Sequence, residues 1–77
     1  MKTNVIDVDQ DILGGTPVFS GTRVPLKNLF DHLESGENIT SFLEDFEGVT
    51  KDQVLKVLEM SKSLIESSST IISENFA

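Results

Sequence analysis

Residues 12–25 read Ile-Leu-Gly-Gly-Thr-Pro-Val-Phe-Ser-Gly-Thr-Arg-Val-Pro, and no other stretch of the chain constrains the backbone so strongly. It contains three of the five glycines and both prolines of the 77-residue chain. Glycine permits positive φ and close backbone approach, whereas proline fixes φ and lacks a backbone donor. The stretch is therefore predicted to follow a defined path rather than to form a loose linker.

Short extended segments are predicted at both ends of this region. Residues 4–8 and 18–24 are rich in β-branched or aromatic residues and are bounded by Gly, Pro and Asp, which is typical of short strands. Together they make a predicted N-terminal arm over residues 1–25. Because a lone two-stranded hairpin is marginal in water, we expect the arm to pair with the helices, with a second copy of the chain or with a partner protein.

Three helices are predicted after the arm, at about residues 25–35, 40–47 and 50–66. Apolar residues recur there at the i, i+3, i+4 spacing of one helical face. Thr40 is the expected N-cap of the second helix, and Thr50 with Gln53 fits a capping box at the start of the third. The three helical stripes consist of Leu26, Leu29, Phe30 and Leu33; of Ile39, Phe42, Leu43 and Phe46; and of Val54, Val57, Leu58, Ser61, Leu64 and Ile65.

These elements predict a mainly α fold. We expect one three-helix, helix-turn-helix-like domain, homeodomain-like or winged, over residues 1–66, with a short extended or β-strand N-terminal arm. Any three-helix bundle gives the same outline. Residues 67–77 are predicted to form a flexible C-terminal tail, because a run of three serines competes for the backbone hydrogen bonds of a helix.

Charge limits the classes of partner. The net charge is −7; residues 1–36 carry three basic and five acidic groups, whereas residues 37–77 carry three basic and eight acidic groups. Such a surface repels phosphate backbones and membranes, and it favours a basic protein partner through long-range steering. Solubility alone is the alternative explanation of an acidic chain.

Small size favours self-association. A single domain of 77 residues buries only about 60–65% of the surface that its unfolded chain exposes, so we expect a homodimer. The lack of cysteine excludes a disulfide framework and a thiolate metal site. Because the chain has neither a signal-peptide pattern nor an apolar run of about 20 residues, we expect a cytoplasmic protein without membrane contact.

No catalytic site, metal site or cofactor is predicted from the acidic residues of the arm. Asp7, Asp9 and Asp11 alternate, so on a strand they would project to one face. However, Ile12 and Val18 stand where a calcium loop requires glycine and glutamate. We interpret the three carboxylates as a solvated acidic strand face.

The remaining candidates for chemistry are also better explained by structure. His32 is the only histidine and has no serine, cysteine or metal-ligand cluster marked beside it, so it is interpreted as a surface or core-edge side chain. The glycines of the arm lack the lysine and serine or threonine that end a phosphate-binding loop, so they are interpreted as turn-makers. The chain is therefore expected to be a binding protein rather than an enzyme.

Binding of DNA is one such role. The turn at residues 47–49 followed by the third helix fits a helix-turn-helix, in which the start of the later helix contacts the major groove. Lys51, Gln53 and Lys56 are the candidate DNA contacts, although Asp52 and Glu59 lie among them. The alternative is a third helix with a purely structural role.

A resemblance adds to this interpretation. The core GG-x-P-x-x-x-GTR is followed by a helix, a break at residues 36–40, an aromatic residue at Phe46 and a new helix start at residues 49–50. In this pattern the chain resembles the domain-of-unknown-function 433 family over residues 5 to about 62. The motif residues are Gly14, Gly15, Pro17, Gly21, Thr22 and Arg23.

The resemblance implies a small helix-turn-helix-like antitoxin that pairs with a PIN-like ribonuclease toxin. Such antitoxins bind and silence the nuclease, and many also repress their own operon as dimers. The predicted function is therefore neutralisation of a cognate PIN-like toxin, with operator DNA as a second ligand. The alternatives are a stand-alone DNA-binding transcription regulator and a module whose only activity is self-association.

Four residues are the candidate toxin contacts: Arg23, Ile71, Ile72 and Phe76. The last three are the apolar residues of the predicted tail. Arg23 is the only arginine, and it could pair bidentately with the metal-binding carboxylates of a PIN-like active site. The alternative is that Arg23 ties the arm to aspartates or backbone carbonyls of its own domain.

Overall fold

The computed structural model describes residues 5–68 and confirms a mainly helical domain with a short N-terminal hairpin. Both strands precede the helices in this part of the chain. The candidate contacts Ile71, Ile72 and Phe76, and the predicted tail from residue 69 on, lie outside the described residues. The elements are β1 (Ile6–Asp7), a 3₁₀ turn (Leu13–Gly15), β2 (Val18–Phe19), α1 (Leu26–Glu34), α2 (Ile39–Asp45) and α3 (Lys51–Ser67).

The hairpin is shorter than predicted. β1 and β2 pair antiparallel with Ile6 opposite Phe19, so the second strand ends at Phe19 rather than at residue 24. The reason is local, because Gly21 has a φ of +77° and the chain reverses there. Residues 20–24 form a turn that returns the backbone to a bridge between Val18 and Pro25.

The helices begin at side-chain caps where the sequence offers them. Thr50 accepts a hydrogen bond from the backbone N–H of Gln53, and the Gln53 side chain accepts one from the backbone N–H of Thr50, which confirms the capping box. The cap predicted for α2 is wrong: Asn38, not Thr40, occupies the N-cap, and its side chain accepts a hydrogen bond from the backbone N–H of Ser41 at 2.8 Å. Asn38 can take the N-cap position in place of Thr40 because asparagine caps a helix at least as well as threonine.

One apolar core joins the hairpin to all three helices. The rings of Phe19 from β2 and Phe42 from α2 lie 5.9 Å apart between centroids, and Phe42 and Phe46 lie 4.8 Å apart. No charged or polar side chain is buried among residues 5–68. The buried cluster consists of Val5, Phe19, Leu29, Phe42, Val49, Val54 and Val57.

Helix α3 extends beyond the body of the domain. Its 17 residues span about 25 Å. Val54 and Val57 in the first half are buried, whereas Leu64 and Ile65 on the same stripe are 67% and 58% exposed. The helix ends at Ser67, one residue later than predicted. No helix within residues 5–68 is long and apolar enough to span a bilayer.

Candidate functional site

The turn after β2 is held by a dense set of backbone hydrogen bonds. We call residues 20–24 the Arg23 turn. The N–H of Phe19 donates to the carbonyl of Val24 at 2.9 Å, and the N–H of Thr22 donates to the carbonyl of Phe19 at 3.0 Å. The N–H of Ser20 donates to the carbonyl of Val5 at 2.9 Å. The backbone on both sides of Arg23 is therefore fixed to the hairpin.

Two side chains brace the same turn. The hydroxyl of Thr22 donates to the carbonyl of Phe19 at 2.7 Å and accepts from the N–H of Val24 at 3.0 Å. The carboxylate of Asp7 accepts from the Ser20 hydroxyl and from the Gly21 N–H, each at 3.2 Å. Hydrogen bonds to a carboxylate are stronger than neutral ones. Asp7 therefore acts as a support of the turn, which the sequence alone did not indicate.

The start of α3 supplies a third support. The side-chain amide of Gln53 donates to the Ser20 carbonyl at 3.0 Å, while its oxygen accepts the capping hydrogen bond from Thr50. The methyl group of Thr22 would lie 3.5 Å from a Cβ built at Gly48, so the turn before α3 packs against the Arg23 turn. Gln53 thus links the N-terminus of α3 to the hairpin.

The glycines of the motif have conformational reasons to be glycine. Gly14, Gly15 and Gly21 all have positive φ, at +65°, +91° and +77°. A Cβ at Gly15 would also approach the Gln10 side-chain nitrogen to 2.7 Å. Pro17 precedes β2, and its carbonyl accepts from the N–H of Leu26 at 3.0 Å, which closes the arm onto the start of α1. These motif residues therefore build the arm.

Arg23 is the exception in the motif. Its side chain is exposed, and within residues 5–68 its guanidinium makes no hydrogen bond and no ion pair. Within residues 5–68, no aspartate and no backbone carbonyl pairs with the Arg23 guanidinium. Arg23 stands on a braced turn, and in the part of the chain that the structure describes its five guanidinium N–H donors have no partner. A planar guanidinium held in this way suits a carboxylate or phosphate on another molecule.

The three candidate DNA contacts have different environments in the structure. Lys51 is exposed at the N-terminus of α3 and lines an open groove together with Leu33 of α1 and residues at the start of α2. The Gln53 amide already has a partner for its oxygen and for its nitrogen. The Lys56 ammonium lies 3.6 Å from the Asp52 carboxylate. Lys51 is thus the one candidate of the three without a partner in the described chain.

The acidic residues of the arm do not share one face as predicted. Strand β1 ends at Asp7, whose carboxylate turns to the Arg23 turn, while Asp9 accepts a hydrogen bond from the N–H of Asp11 at 2.8 Å in a separate turn. The prediction was wrong because the alternation assumed a strand that continues to residue 11. No group of three or more His, Cys, Asp or Glu within residues 5–68 is arranged to hold a metal ion.

His32 lies at the edge of the core, in agreement with its interpretation as a surface or core-edge side chain. Its Nε2 is 3.2 Å from the Ser41 hydroxyl, and its ring meets Phe42 edge-on at 5.5 Å. The side chain is half-buried between α1 and α2. These contacts give His32 a role in packing the two helices.

Comparison with known proteins places the chain in a family. No curated protein and no solved structure shows significant similarity to it. The sequence model of one family, described as "Protein of unknown function (DUF433)", matches residues 6–59. That match takes in the hairpin, the Arg23 turn, α1, α2 and the first half of α3. The chain therefore belongs to the DUF433 family.

Proposed function

We propose that this chain is an antitoxin-type binding protein that neutralises a PIN-like ribonuclease toxin, and that the Arg23 turn meets the nuclease. In this proposal the chain is not an enzyme and acts in the cytoplasm, where the RNA substrates of the nuclease are found. The resemblance stated above motivates the class of partner. The observation that carries the proposal is the exposed guanidinium of Arg23, which has no partner within residues 5–68 and stands on a turn held by several hydrogen bonds.

The chemistry of such a nuclease suits this residue. A PIN-like active site groups carboxylates around a divalent metal, and an arginine is the side chain best matched to paired carboxylate oxygens. Because Asp7, Thr22 and Gln53 already fix the turn, binding would order little beyond the arginine side chain itself. A preorganised group loses less entropy on association, which strengthens binding.

The charge of the remaining surface supports the same partner. Residues 28–50 contain six acidic residues and no lysine or arginine, and all six are exposed. A basic RNA-binding cleft would attract this surface during encounter. Within residues 5–68, only Asp31 of the six forms an ion pair, with Lys27. The six residues are Asp31, Glu34, Glu37, Glu44, Asp45 and Glu47.

DNA binding is the second candidate, both for autorepression of an operon and for a stand-alone regulator. It is supported by the exposed Lys51 at the start of α3. The acidic character of α2 argues against DNA binding. This helix contains Glu44 and Asp45 but no lysine or arginine, whereas a helix next to a phosphate backbone is expected to be basic. We therefore rank neutralisation of a nuclease first.

The direct test is inhibition of RNA cleavage. The full chain is purified and added to the purified product of the gene next to its own, with single-stranded RNA as substrate. We expect the neighbour to cleave RNA in the presence of Mg²⁺ and the chain to stop cleavage near equimolar ratio. A neighbour that cleaves RNA equally well in the presence of excess chain would refute the proposal.

A gel-shift assay with the DNA upstream of the gene separates the alternatives. Tight, salt-dependent binding by the chain alone, together with no effect on the nuclease, would favour the stand-alone regulator. If neither the nuclease nor the DNA is bound, self-association is the remaining activity.

A further inference from the structure

Leu13 has a backbone conformation that leucine rarely adopts. Its φ is +50°, and within residues 5–68 it is the one residue other than glycine with a positive φ. The left-handed region is unfavourable for an L-residue because its Cβ comes too close to the following carbonyl oxygen. Strained residues of this kind concentrate at functional sites, where the surrounding structure holds them in place. The position of Leu13 in the arm therefore asks for a functional reason.

Hydrogen bonds explain the conformation of this turn but not the choice of leucine. The Leu13 carbonyl accepts from the Thr16 N–H at 3.4 Å and from the Thr16 hydroxyl at 2.9 Å. The N–H of Gly15 donates to the Ile12 carbonyl at 3.1 Å. None of these bonds uses an atom of the Leu13 side chain. Glycine, which follows at the next two positions, would meet the same geometry without strain.

The Leu13 side chain gives the domain little packing in return for the strain. It is 52% exposed. It is not among the side chains that form the core cluster of residues 5–68 or pack against it, whereas Ile6, Val24 and Leu26 are. A single exposed leucine in an ordinary conformation needs no explanation. One that is held exposed in a strained conformation is better suited to a contact with another molecule.

We propose that Leu13 is an apolar anchor that inserts into a pocket on the nuclease bound by the Arg23 turn, so that the arm contacts its partner at two places. The identity of this partner rests on the proposed function. Because its turn is already hydrogen-bonded, Leu13 is ordered before binding and its burial is not offset by a loss of loop entropy. A small apolar pocket is the usual receptor of such an anchor.

The charges beside Leu13 favour a basic protein surface over other partners. Asp9 and Asp11 are exposed, and the Asp9 carboxylate accepts from the Asp11 N–H, which holds both residues in one turn. Neither forms an ion pair within residues 5–68, and residues 3–22 contain no lysine or arginine. A second copy of this chain, with its net charge of −7, would be repelled, as would an anionic membrane. A nuclease with a basic RNA-binding cleft would be attracted.

Binding and stability of Leu13 variants test the proposal together. The purified product of the neighbouring gene is titrated with the full chain in a calorimeter, and Tm is measured by circular dichroism. Leu13→Gly removes both the side chain and the strain, so it should weaken binding about 10-fold without lowering Tm. Leu13→Ala keeps the Cβ and therefore the stiffness of the turn. It should weaken binding to the same extent and keep the wild-type Tm to within about 4 °C.

Two further variants are the controls. Leu13→Met keeps a flexible apolar side chain of similar volume and should retain most of the affinity. Leu55→Ala changes a 47%-exposed leucine that also lies outside the core cluster but has helical backbone, and it should bind like the wild type. The heat capacity change on binding should be less negative for Leu13→Ala than for the wild type, because less apolar surface is buried.

The possible failures can be told apart. A decrease in Tm of more than about 4 °C in either the glycine or the alanine variant would mean that Leu13 packs within the domain and would overturn the anchor. Wild-type affinity in both variants would remove the Leu13 contact and leave the proposed function standing. No binding by the wild-type chain would refute the proposed function, and the Leu13 contact with it.

Discussion

The Arg23 turn and the second half of α3 both present side chains that residues 5–68 leave exposed, but the structure around them differs. At the turn, the side chains of Asp7, Thr22 and Gln53 hydrogen-bond to the backbone, whereas the Arg23 guanidinium has no partner within residues 5–68. At the end of α3, the apolar residues are exposed because the body of the domain stops short of them. The Arg23 turn thus presents a polar group on a rigid backbone, whereas the second half of α3 presents exposed apolar side chains.

This difference has a consequence for mutagenesis. Removing a support of the Arg23 turn should lower the free energy of unfolding, whereas removing Arg23 should not. Removing the Leu64 side chain, which is 67% exposed, should lower it only slightly. Functional residues are thus separable from structural ones in this domain by stability alone.

The largest effect is expected where both regions depend on the core. Phe42→Ala should cost about 3–5 kcal/mol, which is comparable with the whole stability of a domain of this size. We therefore expect loss of the helical circular dichroism signal at 25 °C. Leu55→Ala, on the exposed side of α3, is the control, and its urea midpoint should barely change. A folded Phe42→Ala variant would show that the core does not hold the two regions together.

The link between α3 and the turn comes next. Gln53→Ala removes half of the capping box and the hydrogen bond to Ser20, so it should lower the free energy of unfolding by about 1–2 kcal/mol. Thr50→Ala removes only the cap and should cost about 1 kcal/mol. Urea unfolding followed by circular dichroism compares them. Equal costs would mean that the contact between Gln53 and Ser20 contributes nothing.

A smaller effect is expected inside the turn. Gly21→Ala should cost about 1 kcal/mol because φ is positive there, although no atom would lie within 4 Å of the new Cβ. The control is Gly48→Ala, whose φ is not positive and whose Cβ would make an ordinary 3.5 Å contact with Thr22. Thermal melts should show a lower Tm only for Gly21→Ala. The same decrease in both would contradict a conformational role for Gly21.

Local signals made most of the fold predictable. Helical periodicity gave the three helices to within about two residues, and the capping box at Thr50 is a short-range pattern. The N-cap of α2 was missed because Asn38 and Thr40 are both good caps only two residues apart. The second strand was overestimated because β-branched residues on both sides of Gly21 fit a strand as well as a turn.

The supports of the candidate site could not be predicted in this way. Asp7 and Gly21 are 14 residues apart, and Gln53 and Ser20 are 33 apart. No local pattern pairs such residues, since the fold alone brings them together. Likewise, periodicity identified the stripe of α3 through Ile65 but carried no information on how much of it the body would cover.

The role of Arg23 is tested most directly in the RNA-cleavage assay with the neighbouring gene product. We predict that Arg23→Ala keeps the wild-type urea midpoint to within about 0.5 kcal/mol and weakens inhibition by about 100-fold, because it leaves a buried carboxylate of the nuclease unpaired. Arg23→Lys should restore only part of the inhibition. Lys62→Ala, an exposed lysine without an ion pair in the described chain, should inhibit like the wild type. A folded Arg23→Ala variant with undiminished inhibition would contradict the account.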